Sequence, residues 1–358
     1  MPNTSTLELV SPTSATSDWR QQLREVISDG PTLLHELQLQ PQQLGFSEQA
    51  CRNFSLKVPR AFVRRMRVGD PDDPLLRQVL ASANELNNPP GFGVDPTGEI
   101  GGAIARTGII HKYQGRCLLI VSGGCAVNCR YCFRRHFPYG DNINSRQQWR
   151  EALNYIASEH SIHEVILSGG DPLVADDDYL DELCQQIAAI GHVHRLRIHS
   201  RLPIVLPDRI TTQLLGVLKA TGLQVVMVAH ANHANEIDSE VGTAFSRLRE
   251  GGITVLNQSV LLAGINDNPE ALIALSEELF AHGALPYYLH LLDRVAGAAH
   301  FEVDEQRALA LHRTISHQLP GFLVPRLVRE IAGEPAKTIV GQQYNRLAST
   351  TASLNNSG

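Results

Sequence analysis

Short apolar runs recur at regular intervals along most of the chain, and a segment with helical periodicity follows each of them. From the second run onward the run centres lie about 30 residues apart, which is the size of a βα crossover unit. The six runs are Cys117–Val121, Glu164–Ser168, Leu196–Ser200, Gln224–His230, Thr254–Leu262 and Leu285–Asp293. The pattern predicts an α/β fold, a partial (β/α)6 parallel barrel with three-quarters of the strands of a full eight-fold barrel.

The chain before the first run has helical periodicity up to about residue 85. Residues 1–17 are rich in Ser, Thr and Pro and are expected to be disordered, and Asp18 begins the first helix. Residues 70–78 read as a turn that feeds a proline-started helix, and residues 89–93 mark a linker. A seventh apolar run, 322–328, is expected to close or flank the barrel. The predicted units are a disordered segment 1–17, an N-terminal helical extension 18–104, the barrel 105–340 and a tail 341–358.

Composition narrows the class of protein. At 358 residues and 43% hydrophobic, the chain can bury a large core. Its formal net charge of -6 gives no sign of a nucleic-acid partner. No apolar run approaches the roughly 20 residues that span a bilayer, and the first residues lack a signal-peptide pattern, so we expect a cytoplasmic protein with no membrane partner.

The six cysteines do not form a disulfide framework in a chain of this kind. Three of them, Cys51, Cys117 and Cys184, have no close cysteine neighbour and are expected to be small buried groups or inert thiols. The remaining cysteines carry the chemistry discussed below.

Polar residues follow the predicted strands at the point where each strand ends. A single polar residue of this kind is more often structural than functional. The carboxyl ends of parallel strands converge on one mouth, however, so their recurrence there predicts a site. From the second strand to the sixth they are Ser168–Pro172, His199–Arg201, His230 with Asn232 and His233, Asn257–Ser259, and His290 with Asp293.

The most specific chemical signal is a Cys-x3-Cys-x2-Cys run, formed by Cys125, Cys129 and Cys132 directly after the first predicted strand. Three thiolates at this spacing hold a cubane 4Fe–4S cluster and leave its fourth iron without a protein ligand. The amino and carboxylate groups of S-adenosylmethionine chelate such an iron, so the motif indicates catalysis rather than electron storage. The alternative is a zinc site, which needs a fourth ligand, and the nearest candidate is His136.

A cysteine run of this spacing on a loop after a barrel strand resembles the radical S-adenosylmethionine superfamily. The resemblance implies that Ser168, Gly169, Gly170 and Asp171 bind S-adenosylmethionine, with Asp171 or the strand-end carbonyl groups accepting from its ammonium group. The alternative for this segment is an ordinary Asp-Pro turn that opens the next helix.

Lysine is scarce, which limits the candidates for a pyridoxal 5′-phosphate site. A Schiff base to this cofactor requires a lysine amine. The four lysines are Lys57, Lys112, Lys219 and Lys337. Lys337 lies in a loop shaped by Gly and Pro after the last apolar run, and by its sequence alone it would more often be a surface lysine than a cofactor ligand.

A series of segments in order along the chain resembles the lysine 2,3-aminomutase family, and more closely its shorter branch, which supplies (R)-β-lysine for modification of translation elongation factor P. The resemblance covers the chain from about Asp70 to Lys337. The matching segments are 70–78, 125–135, 198–211, 233–237, 257–262, 286–293 and 333–337. Such a series is more specific than any one motif in it.

The resemblance implies a role for individual residues. Lys337 would be the Schiff-base lysine, and Arg134 would bind the substrate carboxylate. Asp293 and Glu330 would surround the distal ammonium group of the substrate, which suits an amino acid charged at both ends. The remaining implied contacts are Lys112 and Arg116 to the phosphate of pyridoxal phosphate and Gln258 to S-adenosylmethionine.

The chain departs from the longer branch of this family in three places. It has Glu330 where that branch has an aspartate, and the stiffer segment 333–336 where that branch has glycines. It also has Asn268 in place of a cysteine, and no cysteine follows Lys337. We therefore expect altered turnover or substrate preference and no zinc-linked oligomer.

The implied reaction is a radical 1,2-amino migration that converts L-lysine to β-lysine, with an external electron donor. One alternative is an aminomutase for another amino acid such as glutamate, although Asp293 and Glu330 would repel a side-chain carboxylate. The other is a non-catalytic iron–sulfur or zinc module.

Overall fold

The computed structural model describes residues 18–100, 104–106, 108–142 and 148–341. The predicted disordered segment 1–17 and residues 342–358 of the predicted tail lie outside these ranges.

The N-terminal region is a series of short helices, as the sequence predicts. Asp18 caps the first helix by accepting from the backbone N–H of Arg20, and Asp73 caps the proline-started helix at 74–77. The helices are α1 (Trp19–Arg24), α2 (Gly30–Glu36), α3 (Pro41–Leu44), α4 (Glu48–Asn53), α5 (Arg60–Val63), α6 (Pro74–Arg77) and a 3₁₀ helix (Ala83–Leu86).

A single sheet follows, with its ten strands hydrogen-bonded in chain order. Strands β3 to β9 run parallel, whereas β1 and β2 at one edge and β10 at the other are antiparallel. The strands are β1 (Ile104–Arg106), β2 (Ile109–Tyr113), β3 (Arg116–Ser122), β4 (Glu164–Gly169), β5 (Arg195–Ser200), β6 (Gln224–Ala229), β7 (Thr254–Val260), β8 (Leu285–His290), β9 (Arg326–Arg329) and β10 (Thr338–Ile339). The six predicted strands are confirmed, and the seventh apolar run supplies β9, which flanks β8.

Helices connect the parallel strands, so each crossover is a βα unit. They are α7 (Tyr139–Asn142), α8 (Gln148–Ser158), α9 (Asp177–Ala188), α10 (Leu202–Val205), α11 (Thr212–Ala220), α12 (Ser239–Glu250), α13 (Pro269–Ala281) and α14 (Glu305–Gln318). Short 3₁₀ helices lie at Pro172–Val174, Pro207–Arg209, Ala234–Glu236, Ala299–Phe301 and Gly321–Leu323. This alternation is that of a partial parallel βα barrel. No helix in the described ranges is long and apolar enough to cross a membrane.

One hydrophobic core joins the N-terminal helices to the barrel. Buried side chains of the first helices, including Leu33 and Phe62, belong to the same cluster as Leu119 of β3 and Ile198 of β5. Because the two regions share this core, it does not mark a border between them. The predicted boundary near residue 105 stays a prediction.

Buried arginines tie the N-terminal helices to the loop that follows β3. Arg130 is fully buried and donates to both carboxylate oxygens of Glu85, at 2.8 and 2.6 Å. It also donates to the carbonyl oxygen of Phe54 at 2.7 Å, and Arg135 donates to Glu85 at 2.9 Å. Because Glu85 neutralises two buried guanidinium groups, its removal would leave both charges unpaired.

We expect Glu85→Ala to lower the free energy of unfolding by about 3–5 kcal/mol, the usual cost of breaking a buried ion pair. Urea denaturation followed by circular dichroism measures this. The control is Glu48→Ala, which breaks an exposed pair with Arg52 and should change the free energy by at most about 0.5 kcal/mol. Equal effects of the two substitutions would contradict the anchoring role of Glu85.

Candidate active site

The cysteine loop begins where β3 ends, and it packs directly on the end of β4. The backbone N–H groups of Gly170 and Asp171 donate to the carbonyl oxygens of Ser122 and Gly124 at 2.7 and 2.8 Å. Gly169 has a φ of +121°, and a Cβ on either glycine would collide with the backbone of residues 122–124. The glycines therefore allow two strand ends to approach each other, in addition to any approach of a ligand.

The chemistry of the three thiols fits a cluster with an open iron. Cys125, Cys129 and Cys132 are half-buried free thiols on this one loop. Burial, and then the charge of neighbouring thiolates, raises the pKa of Cys125 and raises that of Cys132 to about 11. Three thiolates so close together need cations beside them, which the iron ions of a cluster supply.

His136 is the candidate fourth ligand of the zinc alternative. Its Nε2 lies 3.2 Å from the carbonyl oxygen of Ala296, so this nitrogen already has a neighbour other than the cysteines.

Asp171 has a structural role that the sequence presented only as the alternative. Its carboxylate caps the 3₁₀ helix at 172–174 through the N–H of Leu173, at 3.0 Å. It also accepts from the hydroxyl of Ser200 at 2.8 Å and the N–H of Arg201 at 2.7 Å. Burial raises the pKa of Asp171 to about 6 although these bonds lower it. The carbonyl oxygen of Gly169 is occupied as well, because it accepts from the hydroxyl of Tyr139 at 2.8 Å and from Arg134 Nη1 at 3.3 Å.

A hairpin brings Lys337 to Glu330. Strand β10 runs back along β9, with Thr338 paired to Arg329, so the residues on either side of the turn face each other. Lys337 Nζ donates to Glu330 Oε2 at 3.0 Å, and its side chain is 26% exposed. A lysine that resembles a surface residue in the sequence thus lies in a charged cluster.

Glu330 also joins the two edges of the sheet. Lys112 of β2 donates to Glu330 Oε1 at 3.3 Å, and the hydroxyl of Tyr113 donates to the same oxygen. Burial alone would raise the pKa of Glu330, but Lys337, Tyr113 and Lys112 lower it below its usual range. Arg116 lies over the Tyr113 ring at 4.5 Å. Of the two predicted phosphate contacts, Arg116 therefore lies against the Tyr113 ring and Lys112 shares an acceptor with the Tyr113 hydroxyl.

Asp293 lies in the same electrostatic environment without a bonded partner. Burial raises its pKa to about 7, while Lys337 lowers it and Glu330 and Glu99 raise it. Within the described ranges, no side chain or N–H donates to its carboxylate. Asp293 is thus a carboxyl group that a cation would ionise.

Arg134 is bound to a carboxylate that the sequence did not reveal. Its Nε and Nη2 donate to the two oxygens of Glu99, at 2.7 and 3.1 Å, and its Nη1 donates to Ser168 Oγ at 3.1 Å. Glu99 also lies 3.4 Å from Lys112 Nζ. Burial would raise the pKa of Glu99, but Arg134 and Lys112 lower it. A bidentate carboxylate on this guanidinium shows that the site accepts a carboxylate group.

Three histidines line the same rim at the ends of β5, β6 and β8. Burial lowers the pKa of His230 to about 3 and lowers those of His199 and His290, so all three are neutral at pH 7. Gln258 Nε2 lies 2.8 Å from His230 Nε2. The Nε2 atoms of His199 and His290 are buried and have no partner among the residues that the structure describes. Unpartnered buried polar atoms of this kind mark places for ligand contacts.

The structure brings several of the predicted site residues together, with Ser168 and Gly169 also in contact with Arg134. Lys337, Glu330 and Lys112 are in direct contact, and Arg134 joins them through Glu99. Glu99 and Tyr113 are the residues that sequence reasoning missed. Tyr113 lies between two predicted phosphate contacts and could have been found there, whereas nothing in the linker distinguishes Glu99 from a solvent-exposed acid.

Comparison with known proteins agrees with this arrangement. Residues 119–275 match the Radical SAM superfamily. The chain is 50% identical over 335 residues to the L-lysine 2,3-aminomutase of Escherichia coli (strain K12), which covers 93% of this chain and 97% of the relative. It is 48% identical over 325 residues to the L-lysine 2,3-aminomutase of Haemophilus influenzae, covering 91% and 96%. The L-lysine 2,3-aminomutase of Clostridium subterminale is 31% identical over 329 residues, covering 92% of this chain and 77% of the relative.

Similarity of this extent covers nearly the whole chain. The chain therefore belongs to the lysine 2,3-aminomutase family of the radical S-adenosylmethionine superfamily.

Proposed function

We propose that the protein converts L-lysine to β-lysine by moving the α-amino group to Cβ. The observation that carries the proposal is the cluster in which Lys337 contacts Glu330 beside Asp293 and Arg134. The cluster supplies an amine, a guanidinium and two carboxyl groups. A guanidinium suits the carboxylate of an amino acid, and carboxyl groups suit a cation at the far end of its side chain. The identity of 50% to a lysine 2,3-aminomutase supports the same substrate.

Cys125, Cys129 and Cys132 would hold the 4Fe–4S cluster. The segment 168–170 and Gln258 would contact S-adenosylmethionine. When bound, these two groups supply the radical that abstracts a hydrogen atom from the substrate and returns it. The protein holds the reacting atoms in register and excludes water, and good orientation alone is worth about 7–11 kcal/mol.

Lys337 would hold pyridoxal phosphate, with Lys112 and Arg116 as cations for its phosphate group. When bound, the cofactor supplies the carbonyl carbon to which the migrating nitrogen is attached. Glu330 keeps the amine of Lys337 positioned by a 3.0 Å hydrogen bond. The neutral imidazoles of His199 and His290 present polar atoms to the same mouth without adding charge.

Arg134 would bind the substrate carboxylate, and Asp293 with Glu330 would bind the ε-ammonium group. Glu99 binds the guanidinium of Arg134 with both carboxylate oxygens, so a substrate carboxylate would compete with Glu99 for it. A glutamate side chain at the far end would meet two carboxyl groups and be repelled. This disfavours a glutamate aminomutase, and the presence of a complete substrate cluster disfavours a non-catalytic module.

We further propose that the β-lysine serves the modification of elongation factor P through the ligase that acts on it. The chain spans nearly all of the Escherichia coli relative and only 77% of the Clostridium subterminale one, which supports the shorter branch. The reaction needs an external low-potential electron donor, and we propose that it takes place in the cytoplasm.

The decisive test is an anaerobic assay of the reconstituted, reduced protein with S-adenosylmethionine, pyridoxal phosphate and ¹³C-labelled lysine. We expect NMR to detect β-lysine, with a much lower yield from glutamate. Cleavage of S-adenosylmethionine without β-lysine would move the search to another amino acid, and no cleavage would sink the enzymatic proposal. Transfer of the product to elongation factor P by its ligase tests the downstream link.

Two variants separate the cofactors in this assay. Lys337→Ala should lose the pyridoxal absorption band and all product while keeping its iron. Cys129→Ala should lose iron and the cleavage of S-adenosylmethionine while keeping the pyridoxal band. Lys219→Ala replaces a lysine of helix α11 and is the control for the first variant. An unchanged pyridoxal band in Lys337→Ala would refute that assignment.

Asp293 gives a prediction for the pH dependence of stability. Its folded-state pKa of about 7 lies above the ordinary value of 3.8, so the folded protein binds the proton more tightly than the unfolded chain. Its contribution to stability is therefore lost as pH rises from about 4 to 7. Asp293→Asn should raise the free energy of unfolding by about 1–2 kcal/mol at pH 8 and leave it unchanged near pH 4. Urea denaturation at both pH values checks this, and destabilisation at pH 8 would contradict it.

Glu99 and Arg134 should have opposite effects on substrate affinity. Glu99→Gln removes the competing charge and should tighten lysine binding about threefold to tenfold, whereas Arg134→Gln should weaken it at least about tenfold. Isothermal titration of the fully loaded protein with lysine measures both. Glu240→Gln, which affects an exposed pair with Arg64, is the control. Weaker binding by Glu99→Gln would mean that Glu99 helps to hold the substrate instead.

A further inference from the structure

Three segments that resemble the family contribute buried polar residues to which the proposed function assigns no role. They are residues 70–78, 198–211 and 233–237. The structure brings one buried side chain from each of them, Gln78, Arg201 and Glu236, to a single place beside Cys129.

Arg201 makes the contact with the cysteine. Its Nη1 donates to Cys129 Sγ at 2.6 Å, and its side chain is only 6% exposed. Its other amino nitrogen, Nη2, donates to Gln78 Oε1 at 2.7 Å and to Glu236 Oε2 at 3.1 Å. The guanidinium also lies over the rings of Phe62 and Tyr131, at 5.3 and 5.7 Å.

The groups around Arg201 are themselves fixed. Gln78 caps the end of α6, is fully buried, and also accepts from Asn232 Nδ2 at 2.9 Å. Its amide nitrogen donates to Glu236 Oε1 at 3.0 Å. Glu236 is fully buried and accepts from the backbone N–H of Asn232 at 2.8 Å. The guanidinium is therefore held in one orientation toward the sulfur by residues of the N-terminal helices and of two barrel loops.

We propose that Arg201 is a positioning residue that raises the reduction potential of the cluster through Cys129. Hydrogen bonds to ligand sulfurs and local charge are among the factors that set the potential of an iron–sulfur cluster. Reduction adds one electron from the external donor, with no bond formed or broken, and increases the negative charge. A cation on a ligand sulfur favours that reduced form, and it does so most strongly where water is excluded.

Glu236 should act in the opposite direction. Its carboxylate lies on the far side of the guanidinium and offsets part of the positive charge that the cluster experiences. Neutralising Arg201 should therefore lower the potential, and neutralising Glu236 should raise it. A role of Arg201 limited to folding of the loop would not give shifts of opposite sign.

The experiment is a redox titration of the reconstituted full-length protein, with dithionite and mediators, in which electron paramagnetic resonance follows the reduced cluster. Arg201→Gln should shift the midpoint potential to a more negative value, and Arg201→Lys should give a smaller shift in that direction. Glu236→Gln should shift it to a more positive value. Iron content is measured for every variant.

The matched control is Arg65→Gln. Arg65 is also a buried arginine, and it donates to Asp238 at 2.9 Å and to the carbonyl oxygen of Glu236, but not to a sulfur. Its substitution should leave the midpoint potential unchanged.

This inference rests on the proposed function in one respect: both require the iron–sulfur cluster. The outcomes of the experiment distinguish a failure of one from a failure of the other. A wild-type protein that binds no iron and sulfide would overturn both. Full iron content with the same midpoint in Arg201→Gln and wild type would overturn this inference alone. If Arg201→Gln fails to keep its iron, Arg201→Lys and Glu236→Gln decide: shifts of opposite sign support the proposal, and equal midpoints overturn it.

Discussion

The site depends on the way the two edges of an open parallel sheet are joined. Strands β1 and β10 are the two edge strands of the sheet. The carboxylate of Glu330 connects residues that lie next to one edge strand with a residue that lies next to the other. It accepts from Lys112 and Tyr113 on one side and from Lys337 on the other. A carboxylate has enough lone pairs for three donors, so one residue both connects the two regions and holds the amine of Lys337 in place.

The charges along this seam alternate. Arg134, Glu99, Lys112, Glu330 and Lys337 follow one another, each within ion-pair distance of the next. Such a chain keeps buried charges paired, which is the condition for keeping them ionised away from water. Asp293 lies beside this chain of charges without a hydrogen-bond donor among the described residues, and burial raises its pKa to about 7. A ligand that carries both a carboxylate and an ammonium group can replace or complete these pairs without leaving a charge unpaired.

A second set of contacts gives the cysteine loop its shape. Backbone hydrogen bonds to Gly170 and Asp171 attach it to the end of β4, and Arg130 with Glu85 attaches it to the N-terminal helices. Arg201 then reaches Cys129 from the loop after β5. The N-terminal extension is thus part of the active-site architecture: it supplies Glu85, Gln78 and Glu99 to residues of the barrel.

The sequence by itself determined those features that depend on residues close to one another along the chain. Apolar runs at the spacing of βα units predicted the parallel strands that the structure has, and the spacing of Cys125, Cys129 and Cys132 predicted a cluster site, because both signals lie within short stretches of chain. The tertiary structure alone decided the partners of the charged side chains. Glu99 lies 35 residues from Arg134, and Lys112 lies 218 residues from Glu330. Asp171 was assigned to a ligand, yet its carboxylate faces Ser200 and Arg201. Local sequence patterns do not predict such pairings. A salt bridge between segments that are distant along the chain forms only when the intervening strands have assembled into the barrel.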